Sequence, residues 1–285
     1  MPPRPTPAAR PALSVVIPAY NEAGRLPRTL REVLDHLARA GRRAEVIVVD
    51  DGSTDETAAR VLEAAAADPR VRLLQLPNNQ GKGYAVRAGV LSAEGGRILF
   101  ADADGATPFA ELERLERCLD MGADVAIGSR NVPSTSTEVR KSLGRHLAGR
   151  LFHQLVKLLS VRGIADTQCG FKLFSQKAAR DLFGRARLDR FAFDVELLLI
   201  AYRRGYSVVE VPVNWTHQPG SRINVLADGL RMAADLLRVR TWMLAGAYDG
   251  GRALAARHAA ATLPMTTAVS AAAAGPRAKT AADAA

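Results

Sequence analysis

The sequence predicts an α/β fold with an open, mostly parallel sheet flanked by helices. Short apolar runs alternate with segments of helical periodicity through the first half of the chain, a pattern typical of βαβ units. Polar and acidic residues follow these runs directly, as they do at the carboxyl ends of parallel strands. The chain has 285 residues, of which 48% are hydrophobic and 24% charged, and this balance excludes disorder as its main state.

Five apolar runs of the first half are predicted as strands. In chain order they are LSVVI (13–17), EVIVV (45–49), VRLLQL (71–76), RILFA (97–101) and DVAIG (124–128). Between the first two runs, apolar residues recur at helical spacing and predict a helix with one apolar face. These residues are Leu26, Leu30, Val33, Leu34 and Leu37.

Local signals predict three further helices between the strands. Ser53 followed three residues later by Glu56 forms a capping-box pattern, so we expect a helix to begin directly after the second strand. Another helix is expected after Gly83. Thr107 followed by Pro108 predicts an N-cap and a first helical residue before the fifth strand.

The second half of the chain is less regular. A basic amphipathic helix is predicted at about residues 140–160, ahead of the segment DTQCGFKLF (166–174). Short helices, a strand near 207–211 and a long helix over about 223–248 follow. These elements predict C-terminal amphipathic helices beside the sheet.

The two ends of the chain bound one central domain. Residues 1–12 are Pro-rich and residues 250–285 are Ala-rich without periodicity, so both are expected to be disordered, and 13–249 is expected to form the domain. No signal peptide or transmembrane helix is predicted. The two cysteines, Cys118 and Cys169, exclude a disulfide framework and a four-thiolate zinc site, which favours a cytosolic compartment.

The net charge of +10 is concentrated in one segment. Between Arg130 and Arg162, seven basic residues stand against one acid, Glu138. Such a segment fits the phosphates of a small ligand, an anionic membrane surface or nucleic acid. Nucleic acid is disfavoured, because its readers interleave basic with aromatic residues and this segment holds a single aromatic residue, Phe152.

Acidic side chains stand directly after the predicted strands. Asp50 and Asp51 follow the second strand, with Asp55 in the same loop, and Asp102 and Asp104 follow the fourth. One interpretation is that such residues only cap helices and shape turns. Two carboxylates one residue apart would repel each other without a cation, however, so Asp102 and Asp104 predict a Mg²⁺ or Mn²⁺ site completed by phosphate oxygens of a substrate.

Glycine motifs argue against two common nucleotide-binding classes. Gly81-Lys82-Gly83 is the nearest match to a dinucleotide-binding GxGxxG, but the third glycine is missing and the motif follows the third strand instead of the first. A Walker A loop is absent from the sequence. NAD-dependent and P-loop functions are therefore disfavoured.

Several motifs together are similar to those of family 2 glycosyltransferases with the GT-A fold. In chain order they are SVVIPAYNE, VIVVDDGSTDET, Gly81-Lys82-Gly83, DADG and Gly128-Ser129-Arg130. DADGAT, DTQCGFKLF, FAFDVELL and VPVNW further resemble the subgroup that transfers glucose from UDP-glucose to dolichyl phosphate, which is related to the dolichol-phosphate mannosyltransferases. The resemblance covers about residues 13–240.

The resemblance implies a set of site residues. Asp102 and Asp104 would hold the metal and the donor diphosphate, and the expected catalytic residues are Asp104, Arg130 and Asp194. The nucleoside pocket would comprise Pro18, Tyr20, Glu22, Val49 and Asp51, with Asp50 beside it. The cations that would meet donor and acceptor phosphates are Lys82, Arg130, Arg140, Lys172 and Arg222.

The implied reaction is an inverting, metal-dependent transfer of a hexose, glucose from UDP-glucose, to a polyprenyl or dolichyl phosphate. A lipid phosphate is ionised at pH 7 and needs no strong base; for a hydroxyl acceptor, Asp194 or Glu196 would be the base, unless both only stabilise a helix N-terminus. The mannosyl relatives carry Gln at the position of Ala106, which favours the glucosyl subgroup and leaves the third metal ligand open. A GDP-mannose-dependent mannosyltransferase and a non-catalytic nucleotide-sugar-binding protein remain alternatives.

The expected location is peripheral, at the cytoplasmic face of a membrane. The helix predicted at 140–160 has an apolar stripe that either packs on the core or lies against an anionic membrane surface. This stripe consists of Leu143, Leu147, Leu151, Leu155 and Leu158. Trp242 and Met243 near the end of the long C-terminal helix make that helix an equal contender for the membrane contact.

Overall fold

The α/β architecture is confirmed by a computed structural model, which describes residues 10–132, 134, 137–140, 164–218 and 225–249. The central strands are β1 (Leu13–Ala19), β2 (Ala44–Asp50), β3 (Val71–Gln75), β4 (Arg97–Ala101), β5 (Val125–Ser129), β7 (Phe171–Ser175) and β8 (Val208–Pro212). They form one sheet in the order β3-β2-β1-β4-β7-β5-β8. Two short strands, β6 (Val139–Arg140) and β9 (Trp215–Thr216), pair in parallel beside it.

Helices cover both faces of the sheet. They are α1 (Leu26–Arg39), α2 (Thr57–Ala67), α3 (Lys82–Ser92), α4 (Leu112–Asp120), α5 (Gln176–Arg185), α6 (Phe193–Arg203) and α7 (Val225–Leu244). Val15 and Ile17 of β1 belong to one apolar cluster with α1, α2 and α4, whereas Val16 belongs to another with the remaining helices. Strands buried on both faces are largely apolar, which is why the sequence shows them as nearly continuous apolar runs.

One strand of the sheet runs against the others. β7 pairs antiparallel with both β4 and β5, while the remaining pairs are parallel. It is formed by the end of the motif DTQCGFKLF, so the second half of the chain inserts a strand between two strands of the first half. The N–H of Asp102 donates to the Gly170 carbonyl at 2.9 Å, and this contact ties the start of β7 to the end of β4.

The strand predictions are accurate within two residues, but both capping predictions are wrong. Ser53 caps no helix, because its hydroxyl accepts the N–H of Asn21 at 2.8 Å, and α2 begins only at Thr57. Pro108 stands in extended backbone ahead of a 3₁₀ turn, Phe109–Glu111, that precedes α4. The Ser53 hydroxyl is engaged by a neighbouring loop and therefore cannot cap α2. The extended backbone at Pro108 prevents that residue from being the first residue of a helix.

The start of the domain and the element that contains Arg140 also differ from the sequence predictions. Pro11 and Ala12 accept backbone hydrogen bonds from Gly96 and Arg97, so the ordered domain begins ahead of residue 13. Residues 1–9 and 250–285 lie outside the described residues. Arg140, expected to open a basic helix, ends the short strand β6, and 141–163 lie outside the described part of the chain. Among the described helices, none combines the length and apolar character needed to cross a membrane.

Candidate active site

Two neighbouring cavities open at the carboxyl ends of β1, β2 and β4. We call them the Tyr20 cavity and the Arg130 cavity, after one residue that lines each. Four residues line both: Lys82, Asp102, Asp104 and Phe191. The Tyr20 cavity adds Pro18, Glu22, Arg25, Asp51 and Arg190, and the Arg130 cavity adds Glu32, Gln168, Asp194, Trp215 and His217. The acidic pair singled out from the sequence therefore lies where the two cavities meet.

Asp102 and Asp104 place two negative charges at this junction, and one ion pair with a lysine partly balances them. An oxygen of Asp102 pairs with the Lys82 ammonium at 2.7 Å, and Oδ1 of Asp104 accepts the Ala106 N–H at 3.0 Å. Burial and the nearby charge of Asp102 raise the pKa of Asp104. This excess of negative charge favours a cation at the junction of the cavities.

Gly170 provides the space that the Asp102 carboxylate occupies. A Cβ atom at position 170 would lie 1.9 Å from Oδ2 of Asp102, far inside contact distance. Any larger residue would displace that carboxylate from the junction. The glycine of the DTQCGFKLF motif is thus a steric requirement of the acidic pair.

The donor set suits a hard divalent cation bound together with a ligand. Carboxylate oxygens are the ligands that Mg²⁺ and Mn²⁺ prefer, and these ions commonly keep positions for phosphate oxygens. In the described ranges, His, Cys, Asp and Glu side chains do not gather in groups of three or more that would hold a metal. Asp102 and Asp104 fit a cation whose remaining positions are filled from outside the protein.

Lys82 is a permanent cation beside the acidic pair. Burial alone would lower the pKa of its ammonium, but Asp102 and Asp194 outweigh burial and raise it. The ammonium also lies 5.4 Å from the centroid of the Phe100 ring. Lys82 therefore keeps its charge at neutral pH and balances part of the negative charge around it.

The loops after β1 and β2 are cross-linked by hydrogen bonds. Oδ1 of Asn21 accepts the N–H groups of Thr54 and Asp55 at 2.7 and 3.2 Å, and the Glu22 N–H donates to the Thr57 hydroxyl at 2.7 Å. Asn21 itself has φ of 54°, a left-handed conformation that Asn tolerates. The motifs PAYNE and DGSTDET thus hold each other in shape, a role for Asn21 that the sequence analysis missed.

Asp50 and Asp51 divide into a structural and a cavity residue. Asp50 is fully buried and accepts hydrogen bonds from the Ser53 N–H and the Gln75 amide. Asp51 lines the Tyr20 cavity and accepts the Gln80 and Gly81 N–H groups at 2.7 and 2.9 Å, while burial raises its pKa. The side chain of Val49, also assigned to the nucleoside pocket, is buried in the apolar core.

The remaining nucleoside-pocket candidates lie at the end of β1. Pro18, Tyr20 and Glu22 all line the Tyr20 cavity. Tyr20 is 37% exposed and presents an aromatic surface on which a base can stack. Glu22 is bound by Arg25, whose Nη2 and Nε donate to its two oxygens at 2.5 and 2.7 Å.

Arg130 is held rigidly on the wall of its cavity. Its Nε and Nη2 bind the two oxygens of Asp166 at 2.7 and 2.8 Å, and its guanidinium lies 5.4 Å from the centroid of the Trp215 ring. Asp166 is in turn held by Glu210, which accepts the Asp166 and Ala165 N–H groups at 2.7 and 2.8 Å. Burial opposes the charge of Asp166, but Arg130 outweighs it and lowers the pKa of that carboxyl.

Two predicted residues form a buried ion pair below the Arg130 cavity. Lys172 of β7 is 1% exposed and lies 2.5 Å from Oδ1 of Asp194, so it is enclosed in the core and does not reach a phosphate on the cavity wall. Asp194 lines the cavity, and burial raises its pKa although Lys172 and Lys82 oppose this. Glu196 is fully buried and accepts hydrogen bonds from the Leu188 N–H and the Tyr248 hydroxyl.

Two predicted phosphate-binding arginines are not among the described residues that line the cavities, and three residues that line the cavities were not predicted from the sequence. Arg140 lies in β6 by its backbone, and Arg222 falls outside the described residues. Trp215, His217 and Arg190 line the cavities although the sequence analysis did not select them. The first two follow β8, which is parallel to β5, so the rule that ligands meet strand carboxyl ends would have indicated them.

Comparison with known proteins identifies the family. The model of the family described as "Glycosyl transferase family 2" matches residues 14–183. This chain belongs to glycosyl transferase family 2. The resemblance inferred from the motifs is thereby confirmed, and the chain is a glycosyltransferase whose acidic pair lies inside the matched region.

Several relatives of this glycosyltransferase carry one name. The "Dolichyl-phosphate beta-glucosyltransferase" of Homo sapiens is 43% identical over 250 residues, which are 83% of this chain and 77% of the relative. The protein of that name from Saccharomyces cerevisiae is 37% identical over 254 residues, 83% of this chain and 76% of the relative. The similarity therefore extends well beyond the region that the family model matches.

Solved structures show that this glycosyltransferase has the GT-A-like fold. The glucosyl-3-phosphoglycerate synthase of Mycobacterium tuberculosis, solved with Mn²⁺, UDP-glucose and phosphoglyceric acid, has a TM-score of 0.60 over 81% of this chain and 79% of that chain. The two sequences are 20% identical, so the likeness concerns the fold alone.

Proposed function

We propose that this glycosyltransferase transfers glucose from UDP-glucose to the phosphate of a polyprenol or dolichol, with inversion at C1 and with a divalent metal ion. The observation that carries the proposal is the 37–43% identity to dolichyl-phosphate beta-glucosyltransferases over more than four fifths of the chain. The site geometry is compatible with this reaction, because the paired cavities offer separate spaces for donor and acceptor.

The two cavities suggest how the substrates would be arranged. The Tyr20 cavity, with its exposed aromatic ring and Asp51, suits the nucleoside, and the Arg130 cavity suits the sugar and the acceptor phosphate. Asp102 and Asp104 lie between them, where the donor diphosphate would pass. His217 also lines the Arg130 cavity.

The chemistry requires little from a general base. An oxygen of the acceptor phosphate, already ionised at pH 7, forms a bond to C1 of glucose while the bond between C1 and the diphosphate oxygen breaks, and the electron pair leaves with UDP. A bound Mg²⁺ or Mn²⁺ would neutralise charge on the leaving diphosphate. Arg130, oriented by Asp166, offers its remaining donors to a phosphate in its cavity, and Lys82 adds a second positive charge.

A lipid acceptor implies contact with a membrane surface, which we place at the cytoplasmic face. The basic segment between Arg130 and Arg162 supports this, although most of it lies outside the described residues. The outer surface of α7 also supports it, since Leu237 and Leu244 are 58% and 89% exposed there next to the exposed Arg238. Exposed apolar and basic residues together suit an anionic bilayer.

A transfer assay tests donor and acceptor together. The enzyme is incubated with polyprenyl phosphate and, in separate reactions, radiolabelled UDP-glucose, UDP-galactose, UDP-GlcNAc or GDP-mannose, each with and without Mn²⁺. We expect glucosyl transfer that requires Mn²⁺ or Mg²⁺, and a larger rise in melting temperature with UDP than with GDP. Transfer from GDP-mannose would identify a mannosyltransferase, and binding of the nucleotide sugar without transfer would identify a non-catalytic protein.

A further inference from the structure

Three basic side chains line the Tyr20 cavity, and they differ in whether they are paired with a carboxylate. Arg25 is bound by both oxygens of Glu22, and Lys82 is paired with Asp102. Arg190 is exposed, and its side chain makes neither a hydrogen bond nor an ion pair with any part of the chain that the structure describes. Its guanidinium is therefore the cation of this cavity that is free to take a ligand.

The backbone that carries Arg190 is fixed against the start of α3. The Tyr84 N–H donates to the Asp189 carbonyl at 3.0 Å, and the Arg87 guanidinium binds the Asp189 carboxylate and the Leu188 carbonyl. Leu188 also donates its N–H to buried Glu196 at 2.9 Å. Arg190 thus extends from an anchored backbone. Binding a ligand therefore costs little backbone conformational entropy at this position.

The two glycines of the GKG motif allow the 188–190 backbone to approach the start of α3 this closely. A Cβ atom at Gly81 would lie 2.5 Å from the Asp189 carbonyl oxygen, and one at Gly83 would lie 2.7 Å from the Leu188 carbonyl oxygen. Gly81 also has φ of +104°, which L residues rarely adopt. The motif therefore brings the segment before α6 against the cavity and positions Arg190 on its wall.

We propose that Arg190 is a donor-binding residue whose guanidinium contacts the diphosphate of the nucleotide sugar from the side of the Tyr20 cavity. This inference rests on the proposed function. The Tyr20 cavity is lined by four carboxylates, and a diphosphate adds further negative charge. Arg25 and Lys82 already donate to carboxylates, whereas the planar guanidinium of Arg190 has no partner among the described residues and offers all of its donors to phosphate oxygens.

The donor phosphate, rather than the acceptor phosphate, is the ligand that the geometry favours. Arg190 lines the Tyr20 cavity with Asp51 and Pro18, whereas the Arg130 cavity has Arg130 as its own cation. The charge of Arg190 also acts on Asp51, where it opposes the burial that raises the pKa of that carboxyl. Its neighbour Phe191 lines both cavities.

Binding of UDP, uridine and inorganic pyrophosphate tests this assignment in the full chain with Mn²⁺ present. For Arg190→Ala we expect the Kd of UDP to rise at least about tenfold while that of uridine stays within about twofold, as for the loss of one charge-assisted phosphate contact. Arg190→Lys should lie between, because it keeps the charge and loses the planar fork. Arg117→Ala, an exposed arginine of α4, is the matched control and should bind UDP as the wild type does.

Several results would overturn the inference. Equal weakening of UDP and uridine would mean that Arg190 shapes the nucleoside wall, and unchanged UDP affinity would exclude a diphosphate contact. A rise confined to the KM of polyprenyl phosphate would assign Arg190 to the acceptor. If the wild type binds pyrophosphate through Arg190 but neither UDP nor GDP, the proposed function fails and the phosphate contact stands; if it binds none of the probes, both fail.

Discussion

The charged residues at the junction of the cavities form an alternating series. Asp104 and Asp102 are followed by Lys82, which pairs with Asp102 and also lies in the field of Asp194, and Asp194 pairs with Lys172. Within this series three carboxylates face two ammonium groups, and burial and Asp102 raise the pKa of Asp104 although Lys82 and Arg25 oppose this. A cation bound at the acidic pair would reverse this imbalance.

The metal hypothesis predicts that Asp104→Asn separates activity from stability. Transfer activity should fall at least about a hundredfold. Because the folded-state pKa of Asp104 is raised, its ionised form opposes folding at pH 7, so without metal the melting temperature should stay unchanged or rise slightly. The rise in melting temperature on adding Mn²⁺ should disappear, as measured by thermal unfolding. Asp35→Asn, an exposed carboxylate on α1, should retain all three properties, and normal turnover in Asp104→Asn would contradict the hypothesis.

The orientation of Arg130 predicts a role for Asp166. Asp166→Asn keeps the side-chain shape but removes the charge that holds Nε and Nη2 of Arg130. We expect kcat to fall at least about tenfold, because a misplaced cation stabilises the leaving or attacking phosphate poorly. Asp120→Asn, which breaks a surface pair with Arg97, is the control and should leave kcat unchanged. A lower melting temperature with unchanged kcat would show that the pair serves the fold alone.

One carboxylate, Asp181, connects α5 to the end of α6 and to the segment ahead of β8. Asp181 of α5 accepts hydrogen bonds from Arg185 one turn later, from Arg204 at the end of α6 and from Tyr206 ahead of β8, at 2.8, 2.9 and 3.0 Å. Burial raises the pKa of Asp181, but these three donors outweigh burial and lower it. The helices that carry Asp194 and the Arg190 segment are thereby fixed to the sheet edge.

This contact predicts a pH-dependent effect of Asp181→Asn. A carboxyl with a lowered folded-state pKa contributes stability above its unfolded value of about 3.9, and that contribution is lost as the pH falls through the folded value. At pH 7 the free energy of unfolding should drop by about 1 kcal/mol, a modest figure because the pairs are partly exposed. Urea unfolding at pH 7 and below pH 4 should show the difference from wild type narrowing in acid. A difference that stays constant with pH would mean that charge plays no part.

The active site is built from both halves of the chain. The first half supplies the acidic pair and most of the Tyr20 cavity, and the second half supplies Gly170, Asp194 and Trp215, together with Arg190 on the wall of the Tyr20 cavity. The C-terminal end of α7 is anchored by the fully buried Tyr248, whose hydroxyl donates to Glu196 at 2.7 Å. This anchor leaves the outer surface of α7, with Leu237 and Leu244, facing solvent.

The proposed membrane contact predicts that charge reversal uncouples two activities. Arg145→Glu with Arg150→Glu, both outside the described residues, should abolish co-sedimentation with anionic liposomes and lower transfer to long-chain polyprenyl phosphate. Each basic side chain near an anionic surface contributes about 1 kcal/mol, so the binding should also weaken in high salt. Hydrolysis of the sugar nucleotide should survive. Binding that persists would assign the contact to α7, where Arg238→Glu with Arg240→Glu should then abolish it.

The sequence alone determined six of the seven strands of the main sheet, the acidic strand ends and the family. Strands buried on both faces are apolar at nearly every position, so LSVVI and RILFA are recognisable without knowledge of their neighbours. Asp102 and Asp104 follow such a strand, and the carboxyl ends of parallel strands meet at one edge, so their place in a site also follows from local pattern.

Only the tertiary structure decided which polar residues serve the site and which serve the fold. Asp50 and Asp51 are adjacent in sequence, yet the Asp50 side chain is buried at the end of β2, where it binds Ser53 and Gln75, and Asp51 lines a cavity. Lys172 is enclosed because β7 inserts between β4 and β5, and Arg190 reaches the cavity because its segment packs on two glycines more than a hundred residues earlier. The reason is physical: periodicity records how much of each residue is buried, whereas the partner of a polar side chain depends on strand order and on contacts between residues far apart in the chain.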